Sequence, residues 1–268
     1  MSSAPIRRSA LINVMVKAAE KAAKSLVRDF GEVENLQVSK KGPSDFVSAA
    51  DKKSEQIIVD ELSKARPDFG FLLEEGAEIK SKKENGARFI VDPLDGTSNF
   101  LRGIPHWCIL IAAEEANEIT AGVVYNPIND ELYYAEKGVG AYLNAKRIRV
   151  SARKELDMAL MLVGIPANGH GDFAKFDEDT RQLMRSVSST RSFGSAGLDL
   201  CAVASGRADI FTERLLKPWD VSGASLIVRE AGGFVSEIGG GKNYVYGKTI
   251  VATNAHLKDK VAQLMPKQ

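Results

Sequence analysis

The sequence of 268 residues contains little cysteine, no excess of charge of one sign and no long apolar run. Its only two cysteines, Cys108 and Cys201, exclude a disulfide scaffold and fit a reducing compartment. Lys and Arg total 36 against 35 Asp and Glu, a net charge of +1 that argues against a protein dedicated to coating nucleic acid. The best uninterrupted apolar run, residues 107–113, is far shorter than the roughly 20 residues of a membrane helix.

The N-terminal region lacks the apolar core of a secretory signal, because Lys17, Glu20 and Lys21 interrupt the stretch that would have to supply it. We therefore expect a cytoplasmic protein. No linker rich in Pro, Ser or Gly divides the chain. This continuity predicts a single domain over residues 1–268, with subdomains of roughly 1–150 and 151–268.

The spacing of apolar residues predicts an α+β protein whose two halves differ. Residues 8–30 and about 51–65 have the helical spacing of amphipathic helices. Between residues 69 and 143, short β-rich segments alternate with turn residues, which predicts an antiparallel meander. After about residue 155 strands and helices alternate, with strands expected at 158–163 and 208–212 and a closing helix at 255–265.

The segment FIVDPLDGTSNF (89–100) contains the strongest candidate for a functional site. We expect a buried strand to present Asp92 at its end, Pro93 to stop that strand, and Asp95 to follow in a turn. Gly96 permits close backbone approach, and residues 97–99 can open a helical turn with outward-pointing amides. A cation and a phosphate could bind together there. The alternative is a simple helix N-cap at Asp95.

Further acids stand at the ends of predicted elements. Glu74 and Glu75 follow a buried strand, where a solvated strand end is the competing interpretation. Asp220 opens a predicted helix and could serve only as its cap. Asp51 is also a helix-start acid. Taken one at a time, these acids leave a structural or a catalytic role open.

The order of these segments resembles the inositol monophosphatase family. Residues 92–100 (DPLDGTSNF) are similar to its first signature, and residues 219–224 (WDVSGA) followed by 230–233 (EAGG) to its second. The similarity extends from about residue 45 to 253 through SDFVSAAD (44–51), Glu74–Glu75 and GSAGLDL (194–200). The residues of the segments GRAD (206–209) and LKPWD (216–220) most resemble the bacterial SuhB branch of the family. The resemblance implies an αβαβα fold like that of inositol monophosphatase and fructose-1,6-bisphosphatase, with an antiparallel N-terminal and a mixed C-terminal sheet.

The resemblance also implies roles for individual residues. One metal would be bound by Glu74, Asp92 and the backbone carbonyl of Leu94, and a second by Asp92, Asp95 and Asp220. Glu74 would also lie near a third, weaker site. The Asp51–Thr97 pair would orient the attacking water, and the amides of Gly96 and Thr97 would hold phosphate. The positions implied to contact the substrate alcohol are Ser195, Ala196 and Glu213.

The chemistry of this set agrees with magnesium. All the implied ligands are oxygens, and none of the three histidines or two cysteines falls within the motifs. Two or three Mg²⁺ ions would offset the repulsion between the carboxylates and an anionic phosphate ester. Gly76 departs from the family, which usually has Ser after the paired Glu, and this puts the geometry of that loop in doubt. Lys40 could influence the site or be merely solvated.

Two classes of function follow. The first is a Mg²⁺-dependent, lithium-sensitive phosphatase for inositol 1-phosphate or a related polyol or sugar monophosphate, expected as a homodimer. Fructose 1,6-bisphosphate, histidinol phosphate and 3′-phosphoadenosine 5′-phosphate are substrates of relatives that the acids cannot distinguish. The second is an accessory factor in transcription antitermination and ribosomal RNA synthesis that contacts RNA polymerase. The basic pairs that could serve it are Arg7–Arg8, Lys40–Lys41, Lys52–Lys53 and Lys82–Lys83, although a solvated surface also explains them.

Overall fold

The two N-terminal helices form an outer layer. The computed structural model describes residues 8–30, 38–42, 45–166 and 171–265, with the backbone alone for residues 38–48. The two predicted amphipathic helices are confirmed as α1 (Ala10–Phe30) and α2 (Ala49–Ala65), which pack against each other. A short antiparallel pair, β1 (Val38–Gly42) and β2 (Asp45–Ser48), precedes α2. The sequence did not predict this pair.

A seven-stranded sheet follows and confirms the predicted meander. Its spatial order is the chain order, and every neighbouring pair is antiparallel except β3 and β4, which are parallel. The strands are β3 (Gly70–Leu73), β4 (Arg88–Asp95), β5 (Cys108–Glu115), β6 (Glu118–Asn126), β7 (Glu131–Glu136), β8 (Gly140–Leu143) and β9 (Lys146–Arg147).

Both faces of this sheet are covered, so its strands alternate between two cores. Phe89 and Val91 of β4 pack with α1 and α2, whereas Ile90 packs on the opposite side with helices of the C-terminal half. Such alternation follows from the period-two geometry of a strand. It explains why residues 107–113 are apolar without interruption, because a strand buried on both faces has no solvent side.

The C-terminal half contains the second, mixed sheet. Its spatial order is β11-β10-β12-β14-β13, with β10 parallel to both neighbours and β14 antiparallel to both of its own. The elements after the site helix α3 (Thr97–Phe100) and β9 are β10 (Leu160–Val163), α4 (Phe173–Ser186), β11 (Ser189–Arg191), α5 (Ala196–Ala204), β12 (Ile210–Arg214), α6 (Pro218–Glu230), β13 (Phe234–Ser236), β14 (Thr249–Thr253) and α7 (Lys258–Leu264).

The layers stack as the expected αβαβα arrangement. Leu200 of α5 and Val221 of α6 share one apolar cluster with Ile90 of the first sheet and with Phe211 and Ile250 of the second sheet. The outer face of the second sheet is covered by α4 and α7. Within the described ranges, no helix has both the length and the apolarity that crossing a membrane requires.

Three local expectations were wrong. The strand expected at 158–163 begins only at Leu160, because Leu156–Met158 is a turn of 3₁₀ helix. The closing helix begins at Lys258 rather than at residue 255. Pro93 does not end its strand: β4 runs on to Asp95, and the register with β5 shifts between Asp92 and Asp95. Such a bulge accommodates a proline, which has no amide hydrogen for the ladder.

Candidate active site

The β4 bulge places two carboxylates at the end of one strand. Asp92 is buried, and its Oδ1 accepts a hydrogen bond of 2.9 Å from the amide of Leu94. Asp95 ends the strand, and the next residue, Gly96, occupies the N-cap of α3 without a side-chain cap. The interpretation of Asp95 as a helix cap is therefore wrong.

The turn after β4 requires glycine. Gly96 has a φ of 89°, in the left-handed region, and a Cβ atom there would lie 3.0 Å from the carbonyl oxygen of His106. The chain then enters α3 at Thr97, whose Oγ1 lies 3.2 Å from Asp51 Oδ1 and 3.0 Å from the carbonyl oxygen of Leu94. Asp51 is buried in the first turn of α2. The structure thus brings Asp51 and Thr97 together across 46 residues of sequence.

Asp95 is held by the N-terminus of α5. Its Oδ2 accepts from Ser195 Oγ at 2.5 Å and from the amide of Gly197 at 2.9 Å. The Cys108 thiol also lies 3.6 Å from the same oxygen. Oδ1 of Asp95 accepts no hydrogen bond within the described part of the chain. Ser195, which the family resemblance implies to contact substrate, is buried, and its hydroxyl anchors this carboxylate.

Asp220 fulfils the expected capping role at α6. Lys217 is the N-cap residue, and its amide donates to Asp220 Oδ2 at 2.6 Å. The helix lies unusually close to the first sheet, since a Cβ atom on Gly122 would lie 2.5 Å from the carbonyl oxygen of Gly223. This contact fixes the start of α6 relative to the sheet that presents Asp92.

Glu74 and Glu75 directly follow β3 and are half-buried. The interpretation of both as fully solvated acids at a strand end is therefore only partly correct. The amide of Glu75 donates to Glu55 Oε2 at 3.0 Å. A Cβ atom on Gly76 would lie 2.9 Å from Glu55 Oε1. Gly76, where the family usually has Ser, therefore leaves room for the buried Glu55 of α2. No local sequence pattern indicated this contact, because Glu55 and Gly76 are far apart in the chain.

The electrostatics of this cluster favour a bound cation. Burial raises the pKa of Asp92 well above its usual range, and the neighbouring charges of Glu74, Asp95 and Asp220 raise it further. Burial also raises the pKa of Asp95, although the hydrogen bonds from Ser195 and Gly197 oppose that rise. Within the described residues no three His, Cys, Asp or Glu side chains already enclose a point at which an ion could be held. The oxygen-only donor set and the mutual repulsion fit a hard divalent cation.

Glu213 lies at the end of β12 and faces the same cleft. Its pKa is raised well above the usual range by burial, and by the charges of Asp220, Asp95 and Asp199. Glu213 does not pair with the adjacent Arg214, whose guanidinium instead donates to Asp179 of α4. No hydrogen bond or ion pair joins Glu213 to another described residue. A carboxyl group so placed can accept hydrogen bonds from a ligand.

These side chains line a cleft of about 730 Å³. One wall holds Glu74, Asp95, Gly96, Thr97 and Asp220. A second part of the lining, missed by the sequence reasoning, comes from α4 and the β10 and β12 ends; it includes Gly164, Ile165, Lys175, Phe176, Asp179, Thr180 and Arg214. Ala196 and Glu213 also line the cleft, whereas Asp51, Asp92, Leu94 and Ser195 are buried and do not line it. The side chains of Lys40 and Lys41 lie outside the described residues.

The sequence has close relatives among known proteins. The model of the inositol monophosphatase family matches residues 7–268. An inositol-1-monophosphatase of Rhizobium meliloti is 52% identical over 258 residues, 96% of this chain and 97% of that protein. The Nus factor SuhB of Escherichia coli K12 is 36% identical over 244 residues, 91% of each chain. The crystal structure of the extragenic suppressor protein SuhB from Bartonella henselae is 53% identical, with a TM-score of 0.91 over 96% of this chain and 98% of that one.

Proposed function

The chain belongs to the inositol monophosphatase family and is a phosphoric monoester hydrolase, and we propose that it hydrolyses inositol 1-phosphate or a related small polyol or sugar monophosphate with Mg²⁺. One observation carries this proposal. Four acids from β4, from α6 and from the end of β3 lie at or directly behind a single cleft, beside a hydroxyl that lies against a buried carboxylate: Glu74, Asp92, Asp95 and Asp220, with Thr97 and Asp51.

The acids would bind the metal as the family resemblance implies. Glu74, Asp92 and the Leu94 carbonyl would hold one Mg²⁺, and Asp92, Asp95 and Asp220 a second, with Glu74 close to a third. Such ions supply a nucleophilic water at neutral pH and offset charge on the leaving oxygen. The protein contributes ligand orientation, since Asp92 is fixed by the Leu94 amide and Asp95 by Ser195 and Gly197.

The Asp51–Thr97 pair provides a route for the proton of the attacking water. Thr97 has one hydroxyl hydrogen, and donating it to Asp51 Oδ1 leaves its oxygen free to accept a proton from water. As the water oxygen bonds to phosphorus and the ester P–O bond breaks, that proton passes to Thr97 Oγ1 while the hydroxyl proton passes to Asp51. The leaving oxygen keeps the electron pair of the broken bond and takes a proton from solvent to become the alcohol, and Asp51 returns its proton to solvent. Both groups thus orient the water and take up its proton.

The substrate would bind in this cleft. The turn at Gly96 and Thr97 would place backbone amides on the phosphate. Ala196 and Glu213 lie on the part of the cleft lining where the alcohol half of the ester would sit. Because Glu213 has no protein partner in the described chain, hydroxyl groups of a polyol are suitable donors for it.

Phosphate release from a panel of esters tests the proposal. Inositol 1-phosphate should be among the best substrates, with fructose 1,6-bisphosphate, histidinol phosphate and 3′-phosphoadenosine 5′-phosphate as comparisons. EDTA should abolish release, Mg²⁺ should restore it, and Li⁺ should inhibit in the presence of Mg²⁺. Stoichiometric zinc retained after dialysis, with full activity and no added Mg²⁺, would contradict the assignment of the ligands.

A second function is favoured by relatives named Nus factor SuhB, which are 36–41% identical. We propose that a role in antitermination coexists with catalysis on the same fold. Lys52, Lys53, Lys82 and Lys83 are exposed and could contribute to such a surface. Retention of RNA polymerase and Nus factors on the immobilised protein would support this role, and their absence from the bound fraction would contradict it.

Three further features belong to the proposal. The expectation of one domain over residues 1–268 is supported by a shared apolar cluster that joins Ile90 of the first sheet to Phe211 of the second. The protein is a cytoplasmic homodimer, and the exposed apolar side chains of Ile104 and Phe193 are available for the contact between copies. Light scattering during gel filtration measures the assembly state directly.

A further inference from the structure

Glu213 and Gly164 lie side by side at the ends of two paired strands. Gly164 follows β10, and its amide donates to the carbonyl oxygen of Thr212 at 3.0 Å, continuing the parallel pairing of β10 with β12. Glu213 is the next residue along β12. Both residues line the cleft.

The carboxyl group of Glu213 occupies the space that a side chain at position 164 would need. A Cβ atom built on Gly164 would lie 2.0 Å from Glu213 Cδ, 2.2 Å from its Cγ and 2.3 Å from its Oε2. Real Cβ atoms essentially never approach other heavy atoms closer than 3.0 Å. Any residue except glycine would therefore displace the carboxyl group by about 1 Å or more.

Shape, rather than a polar partner, sets the position of this carboxyl group. Within the described chain Glu213 has no hydrogen bond or ion pair, and the adjacent Arg214 is engaged by Asp179. The space left open by the missing side chain of Gly164 thus determines where the carboxyl group of Glu213 can lie in the cleft.

We propose that Gly164 is a positioning residue that determines substrate specificity, because its missing side chain allows Glu213 to reach the hydroxyl groups of a polyhydroxylated phosphate ester. This inference rests on the proposed phosphatase function. It concerns the alcohol half of the substrate, so the acids that would hold metal and the Asp51–Thr97 pair are unaffected by a change at position 164.

Gly164→Ala tests the proposal without threatening the fold. The backbone of Gly164 lies outside the left-handed region, and the displaced group is the end of a flexible side chain, so the melting temperature should be preserved. The kcat/KM for inositol 1-phosphate should fall about 10- to 100-fold, the effect of misplacing one charged hydrogen-bonding group. The kcat/KM for p-nitrophenyl phosphate, which has no ring hydroxyls, should not change.

A double-mutant cycle identifies Glu213 as the intermediary. In a Glu213→Ala background, which removes the carboxyl group, Gly164→Ala should cause no further loss on inositol 1-phosphate. Multiplicative losses in that background, or equal losses on the two esters, would overturn the role of Gly164. Absence of Mg²⁺-dependent hydrolysis of both esters by the wild-type protein would instead overturn the proposed function, and this inference with it.

Discussion

Thr97 Oγ1 lies 3.2 Å from Asp51 Oδ1, although the two residues belong to different helices and are 46 positions apart. Asp51 is almost completely buried, whereas Thr97 is accessible from the cleft. A hydroxyl at the surface of a cleft is thereby connected to a carboxylate behind it. Such a pair is suited to orienting a water molecule rather than to binding a large ligand.

The first prediction is that Asp51 and Thr97 act as one unit on kcat. Thr97→Ala and Asp51→Asn should each lower kcat about 10²- to 10⁴-fold, the range for a lost general base, with little change in KM. Because both act on the same proton, the double variant should lose less than the product of the single losses. Steady-state kinetics on inositol 1-phosphate measure this, and fully multiplicative losses would show that the two residues do not share a water molecule.

The second prediction concerns Asp92, the acid proposed to contact both metals. Asp92→Asn preserves the shape and the possibility of accepting the Leu94 amide but removes the charge. Activity should fall about 10³-fold or more, on the scale of losing a positioned electrostatic group. Circular dichroism should show an intact fold, and near-wild-type turnover in saturating Mg²⁺ would contradict the two-metal assignment.

The third prediction separates substrate choice from metal binding. Glu213→Gln should weaken hydrolysis of inositol 1-phosphate by about 1.5–3 kcal/mol in transition-state free energy, as for a hydrogen bond to a charged group. It should spare p-nitrophenyl phosphate, whereas Asp220→Asn should damage both reactions. The measurement is kcat/KM for both esters at saturating Mg²⁺. Equal losses for Glu213→Gln would place Glu213 in the metal machinery or the scaffold, and no loss would leave it without a role.

The fourth prediction concerns Glu61, which joins α2 to α1. Its carboxylate lies 2.6 Å from Lys21 Nζ and 3.4 Å from Lys17 Nζ. The hydrogen bond from Lys21 is the largest influence on its pKa, which is lowered to about 2. A lowered pKa stabilises the fold above the unfolded value of 4.5, and this contribution is lost as the pH falls toward 2.

Glu61→Gln should therefore melt at a lower temperature than the wild type at pH 7, and the difference should disappear as the pH approaches 2. Thermal melts across that range measure it. Glu84→Gln is a suitable control, because Glu84 is exposed and forms no ion pair with another described residue. A Glu61→Gln difference that persisted unchanged at low pH would contradict the ionic origin of the contact.

Local patterns predicted most of the fold. The helical spacing of residues 8–30 and the continuous apolar run at 107–113 specified α1 and the doubly buried β5 without reference to distant residues. The strand β11 was missed because it is a short, partly exposed edge strand of polar residues, Ser189–Arg191. The extension of β4 through Pro93 was missed because the bulge that accommodates it depends on pairing with β5.

In the candidate site too, the residues with a local sequence signal were predicted and those placed by tertiary packing were not. The signatures identified Asp92, Asp95 and Asp220 because their neighbours in sequence form the turns that present them. Partners supplied by tertiary packing, such as Glu55 against Gly76 and Asp179 against Arg214, had no local signal. A buried acid that pairs across the fold does not reveal its partner through spacing, so the α4 wall of the cleft could not be predicted.

The contact between Gly122 and Gly223 gives the molecule a mechanical property that ordinary packing would not provide. Most helices rest on a sheet through side chains, which can change rotamer and absorb small displacements. Here backbone meets backbone, so α6 can neither tilt nor slide toward β6 without a collision. A displacement of β6 toward α6 would therefore be passed directly to the helix whose first turn holds Asp220.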